Sequence, residues 1–567
     1  MKPASAWLPR TPFWTLVAHF VKRTLAGEAD EGTESVSLGL GMVLAILASP
    51  GAFASLFLLD KYATLLQYFR EQRNFDPYKA SVADEYFFVV LSMTIIGLVM
   101  VLRWNRLFPD RRDFWNLAAL PIPIYQVFLA NFAALFGLAF LFAVVINAVS
   151  AVLFPTFVTM SDGSVAAFLR VGWGHWAAVV SASLFSFFAV FALVGTLMLV
   201  LPSRLFRLVS VAVRMLLVVA LLTEFMSNLF LQLLSGRLPG NAAASMRFLP
   251  SIWFLGLYEK VAHTPKPALA HFGDWALIAL AASLLISIAA YSLCYRRHFL
   301  RLAESFDTLG GARHGTGPRL PVWLGRVLFR TRFEQACTCF AVKVLSRSER
   351  HVMIFGGYLG VGLVIVAQTA LDDASTALFA VPLLISFFLI TGLRFAFDVP
   401  AALTANWVFQ SAAAGPQPAP RAVARRFILL AALSWQPALL LPLATQRLGW
   451  SDACQLTAMN MAFSALAVDL SLWKYHQIAF TYVARTDSRQ IVTRILGALV
   501  AVGLLVPVLA ALERWTLKDT SRFGFIACLI GLAFYELQRR RRLQPAEAAV
   551  LTFEERPPEP FELLKLA

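Results

Sequence analysis

The 567-residue sequence predicts an all-α fold: a polytopic transmembrane helix bundle of about twelve spans in two halves of six. Three observations predict it. Twelve apolar stretches run between residues 38 and 538, each near the roughly 20 residues that a helix rising about 1.5 Å per residue needs to cross about 30 Å of hydrocarbon. Hydrophobic residues make up 59% of the chain and charged residues only 14%, with a mean hydropathy of +0.68, against about 25% charge in ordinary soluble domains. Lys and Arg gather in alternate gaps between the stretches.

Residues 1–37 form an N-terminal segment. Within it, "TPFWTLVAHFVKRTL" places Phe13, Trp14, Val17, Phe20 and Val21 largely on one helical face, with Lys22 and Arg23 near its end. Such a helix lies either in the cytoplasmic membrane interface or against the protein's own underside. The first half, 38–295, holds stretches at 38–59, 86–102, 124–149, 172–200, 209–234 and 274–295. Between its fifth and sixth stretches, "MRFLPSIWFLGLYEKV" is too apolar for a solvated loop and predicts short helices that dip into the interface or cap the spans. A basic linker, 296–351, has a Gly- and Pro-rich interior, "DTLGGARHGTGPRLP", that disfavours regular structure. The second half, 352–538, holds stretches at 352–371, 376–397, 427–445, 453–473, 494–512 and 522–538, and a tail covers 539–567. The pair at 427–473 carries the weakest signal.

The basic residues set the orientation. The 296–351 linker carries 11 Lys or Arg and the 103–123 loop carries 4, whereas 150–171 carries one. Positive side chains resist translocation and face anionic lipid, so these loops and both termini are expected in the cytoplasm. The same placement accounts for a net charge of +16 and a pI near 9.9. The basics are spread among loops rather than massed in one domain, which argues against nucleic-acid binding.

Chemistry is sparse in the sequence. No G-x-x-x-x-G-K-[ST] loop is present, so any ATP used must be bound by another chain. Neither a G-x-S-x-G elbow nor an H-E-x-x-H pair occurs, and the eight histidines are scattered. The five cysteines do not make a disulfide or metal framework: Cys294, Cys454 and Cys528 sit in or at spans, and Cys337 and Cys339 sit in the linker. No catalytic residue, cofactor or metal site is expected. Intramembrane polar candidates are Glu224, ten residues after Arg214, and Asp469, with His175 between two tryptophans. They read either as an ion relay or as polar groups that bond a neighbouring helix. Asp84 and Glu85 read mainly as a solvated helix start, and otherwise as a cation or glycosyl-transfer site.

The loop after the second stretch, "RLFPDRRDFWNLAALPI", brings a resemblance into view. Together with the amphipathic helix before the first stretch and the apolar loop between fifth and sixth, it resembles the permease subunits of type-2 ATP-binding-cassette exporters, in a large two-half bacterial form. The stretches "LPSIWFLGLYE", "ANWVFQ" and "LSRSERH" look similar to proteins of that class. The resemblance implies a permease in a bacterial inner membrane, in contact with lipid and docked to cytosolic ATPase subunits. It also implies that Arg106, Asp110, Arg111, Arg112 and Asp113 are docking charges, with Phe108, Phe114 and Trp115 seated in the partner's groove. Pro400, Asn406, Trp407 and Phe409 would take the equivalent place in the second half. Typical members carry six spans and dimerise, so twelve imply a fused pair. An ion-coupled secondary transporter and a polytopic enzyme acting on lipid or glycan are the alternatives.

Overall fold

The structure, a computed structural model, describes residues 12–25, 36–70, 77–104, 107–108, 122–160, 163–234, 248–262, 269–304, 332–372, 374–401, 420–473, 475, 478–481, 497 and 500–542. These residues are helical apart from short turns, and the chain divides into two compact units, Met1–Ala312 and Arg313–Ala567. Nine described helices are long and apolar enough to cross a membrane. The stretches predicted at 38–59 and 522–538, and the described part of 494–512 from residue 500, fall on helices outside those nine.

The first unit opens with α1 (Pro12–Leu25) and α2 (Val36–Arg70), followed by α3 (Pro77–Leu102). α1 rests against the protein's own helices. Leu16, Val17 and Phe20 are buried, Phe20 completely, because the helix packs on the third predicted span and more lightly on α2. Trp14 stays on the open side. That third span is α4 (Ile124–Asn147), extended past a short break by α5 (Ser150–Val158), so the loop predicted from residue 150 begins later. α6 (Val165–Val200) starts seven residues before its predicted span; its first turn is capped by the Ser164 hydroxyl, which accepts from the Ala167 N–H at 3.5 Å. α7 (Ser203–Leu234), α8 (Pro250–Ala262) and α9 (Phe272–Glu304) complete the unit.

α8 is the apolar segment singled out in the loop between the fifth and sixth spans. It lies against α3, α6 and α9, and Phe254 and Tyr258 are fully enclosed. Its approach to α9 depends on two glycines. A Cβ on Gly256 would run into the Leu269 carbonyl oxygen, and one on Gly273 would stand 3.1 Å from the Gly256 carbonyl oxygen. Phe88, Phe154, Val179, Phe254 and Tyr258 form the centre of the unit's core.

The second unit repeats the order. An amphipathic helix, α10 (Arg332–Arg347), precedes α11 (Glu349–Asp372) and α12 (Ala374–Phe397), so the end of the predicted linker is helical. The third span is α13 (Pro420–Trp435), a π-helical turn at Gln436–Leu440, and α14 (Leu441–Leu448). Gly449, at φ 88°, turns the chain into α15 (Trp450–Ser471), which divides the weakly signalled 427–473 pair into two helices. A second π turn, Ala501–Leu505, leads into α16 (Val506–Thr516), and α17 (Thr520–Arg542) follows.

Packing within the units follows a common plan. The second predicted span touches the third, fourth and fifth predicted spans in each: α3 against α4, α6 and α7, and α12 against α13, α15 and α16. The amphipathic helix rests on the third span in each, α1 on α4 and α10 on α13.

Candidate functional site: buried polar clusters of the two units

Lipid tails are as apolar as Leu, so dispersion and cross-helix hydrogen bonds hold helices together in a bilayer, and any buried charge needs a partner. The polar groups inside these bundles are therefore the places to look for chemistry.

In the first unit the centre is Glu85 and His175, both fully buried. His175 Nδ1 lies 2.6 Å from Glu85 Oε2, and His175 Nε2 lies 3.0 Å from the Ser150 hydroxyl. The Ser150 hydroxyl also reaches the Asn147 carbonyl at 3.1 Å, and the Ser92 hydroxyl donates to Asn147 Oδ1 at 2.9 Å, at the break between α4 and α5. One residue away, Asp84 is 1% exposed; it pairs with Lys61 at 2.6 Å and accepts from the Tyr62 hydroxyl at 3.0 Å. This corrects the reading of Asp84 and Glu85 as a solvated helix start. Helix α3 begins two turns earlier, at Pro77, and the two carboxylates are taken up by α2 and α6.

Carboxylate, imidazole and hydroxyl here share the order of a nucleophile-activating chain. Access decides what such a chain does. Glu85, His175 and Ser150 are each fully buried, and the Phe88 and Phe154 rings pack on the imidazole with centroids 5.4 and 5.0 Å away. As described, the chain clamps α3, α5 and α6 rather than presenting a hydroxyl to substrate.

Glu224, the intramembrane candidate of α7, is bonded by the side chain and backbone N–H of Ser251 at the start of α8. The Ser251 and Tyr86 hydroxyls lie 3.3 Å apart. Arg214 bonds the Ser210 carbonyl and hydroxyl and stands over the Trp104 ring at 5.6 Å. On α8, burial pushes the Glu259 carboxyl above its usual range, opposed by the backbone N–H groups of Leu269 and Ala270.

In the second unit, Asp469 is held by Arg425 through two bonds, Nε at 2.7 Å and Nη2 at 3.0 Å. Arg394 pairs with Asp398, and Arg426 with Glu334 of α10. His351 Nε2 meets the Val399 carbonyl at 3.0 Å. The turn at Phe480 takes φ 67°, uncommon for a bulky residue, and is fixed by backbone bonds from the Phe480 N–H to Phe397 and from the Ala401 N–H to Phe480. Gln436, in the first π turn, donates to Ser386 and Ser464 and so ties α12 and α15 to the third span. The Cys337 thiol on α10 is pushed up to about 12, by burial and then by the charge of Glu334.

Arg106, Asp110, Arg111, Arg112, Asp113, Phe114 and Trp115 lie outside the described residues, as do Asn406, Trp407 and Phe409. Phe108 is described. Its ring is buried, stacked on Phe191 with centroids 5.4 Å apart and close to Tyr291, which commits it to the interior of the first unit rather than to a partner's groove. Its carbonyl is reached by Arg23 of α1 at 3.5 Å. Among the described residues no group of three or more His, Cys, Asp or Glu could hold a metal ion.

The sequence reading missed Glu513 and Asn460. Glu513 falls one residue beyond the last predicted boundary of its span, and Asn460 is an uncharged residue in the middle of one. A charge-only scan of the stretches passes over both. The chain matches no known family model, no curated protein and no solved structure.

Proposed function

We propose that the chain is the transmembrane permease component of an ATP-driven export system, coupled to separate cytosolic ATPase subunits. On this reading its twelve apolar stretches cross a bacterial inner membrane, with both termini in the cytoplasm and lipid around the bundle. The observation that carries the proposal is the seating of α1. An amphipathic helix rests on α4 and reaches, through Arg23, the Phe108 carbonyl at the root of the "PDRRDFW" loop. Force applied to that loop from the cytoplasm would act directly on the second and third spans. The recurrence of an amphipathic helix against the third span of the second unit, and the enclosure of α8 among α3, α6 and α9, support the same reading.

The docking charges are then Arg106, Asp110, Arg111, Arg112 and Asp113, with Trp115 beside them and Asn406 and Trp407 in the second half. Phe108 acts from inside, as the anchor of the loop. The test replaces Asp110, Arg111 and Arg112 together by Ala and measures the ATPase activity of the cognate soluble subunit with the purified chain in nanodiscs. Loss of stimulation with normal membrane insertion is expected. Unchanged stimulation would remove the docking role. Reporter fusions at Arg112 and Gln410 check the orientation separately, and a periplasmic signal at either would reverse it.

A further inference from the structure

Glu513 is completely enclosed, and its one hydrogen bond is received from Asn460 Nδ2, at 3.0 Å on Oε1. The other carboxyl oxygen, Oε2, and the amide oxygen of Asn460, Oδ1, have no hydrogen-bond partner among the described residues. Both are acceptors if the carboxyl is ionised, so an anion here would leave two buried oxygens unsatisfied and one charge unpaired. A single proton on Oε2 changes the account. It removes the charge and turns Oε2 into a donor, and Asn460 Oδ1 is the open acceptor of the same pair. Reversing the Asn460 amide gives the same requirement, because Oδ1 would then face Oε1 and need a proton between them.

Several of the charged groups on the elements packed against this pair are engaged elsewhere. On α12, Arg394 pairs with Asp398, and on α15, Asp469 is held by Arg425. Asp452 sits in the first turn of α15, eight residues before Asn460, beside Cys454. On α17, Arg522 lies near Asp519 and over the Trp515 ring, while Glu536 pairs with Arg540. Arg514, next in the chain, lines a groove between α11, α12 and α16 with Thr369 and Thr376.

We propose that Glu513 and Asn460 form a proton-binding site inside the second unit, a carboxylic acid and an amide joined by two complementary hydrogen bonds. Loss of the proton leaves a bare carboxylate where α16 meets α15, and the fifth span must then separate from the fourth far enough to admit water. The site thus couples proton occupancy to helix packing. It stands independently of the exporter reading.

The test uses the full chain in nanodiscs. The infrared difference spectrum between wild type and Glu513→Gln should contain a carboxylic-acid C=O band at neutral pH; carboxylate bands in its place overturn the proposal. Linkage supplies the second readout. The folded state holds a proton that the unfolded chain, with a carboxyl near about 4.3, releases as pH rises, so wild-type stability falls as pH climbs above that value. Glu513→Gln keeps both hydrogen bonds with nothing to titrate, and its Tm should fall less over that range; parallel curves overturn the site. A sodium-dependent rise in Tm at fixed pH, in wild type alone, would assign a cation instead of a proton and overturn it equally. Should Glu513→Gln fail to accumulate, wild type treated with dicyclohexylcarbodiimide, which adds to protonated carboxyls in apolar surroundings, decides alone. An adduct on the Glu513 peptide supports the site and its absence opposes it.

Discussion

In the first unit the second span is fastened near its start, where Asp84 and Glu85 of α3 meet Lys61, Tyr62 and His175. In the second unit cross-helix bonds of charged and imidazole groups sit near the end of the corresponding span, where Arg394 Nε reaches the Ser471 carbonyl at 3.3 Å and His351 meets the Val399 carbonyl. The packing order of helices is shared, but polar clamps and the α8 cover are not. Between α16 and α17 only three residues, 517–519, intervene, leaving no room for a counterpart of α8. The difference teaches that a similar layout fixes which helices touch, while the polar bonds that join them are set by a few side chains: buried carboxylates of α3 in the first unit, a histidine on a backbone carbonyl in the second.

Substitutions can break or sharpen that contrast. The largest effect is expected at the Glu85 and His175 pair, since removing one partner of a fully buried pair leaves the other uncompensated, at about 3 to 5 kcal/mol. His175→Ala should therefore lower the Tm of the detergent-solubilised chain more than any of the changes below, and a neutral result would show that the clamp holds nothing. Gly256→Ala comes next, at about 1 to 3 kcal/mol, because the new Cβ must push α8 away from the Leu269 carbonyl. An unaltered Tm there would mean that the α8 cover is loosely held. In the second unit, Asp469→Ala should cost about 1 to 2 kcal/mol, less than the first-unit pair, because Arg425 is 35% exposed and water takes over part of its solvation. If Asp469→Ala equals or exceeds His175→Ala, the contrast between the units fails.

The smallest effect concerns reactivity rather than stability. Cys337, with its thiol pushed up to about 12, carries almost no thiolate near pH 8, so maleimide should label Cys339, two residues on and less buried, well before it. Rapid labelling of Cys337, followed by peptide mass, would show that α10 leaves its seat.

Much of the architecture was legible in the sequence because hydropathy and helical period both report one-dimensional quantities: how long a stretch stays apolar, and which face of α1 is greasy. The α8 segment was legible for the same reason, a connecting segment too apolar to be a solvated loop. Partnership was not. Nothing in "DEYFF" says that Glu85 will meet a histidine ninety residues away, and adjacent carboxylates near a span's edge look the same whether water or a helix covers them. Phe108 was placed in a partner's groove by the resemblance to the exporter permeases alone; that Phe191 and Tyr291 would close on it is a fact of three dimensions. Glu513 escaped because hydropathy windows end spans at the first charge, and so discard the very residue a fold can carry inside neutral.

The π turns at 436–440 and 501–505 have an effect on any residue-by-residue survey of the second unit. Each inserts about one extra residue, and one residue is about 100° of rotation in a 3.6-residue helix. A wheel drawn through the third or fifth span as one continuous cylinder will therefore put the far half on the wrong side. Scanning cysteines along 421–448 should give an accessibility rhythm that slips by one position at Gln436 and resumes out of phase with where it began.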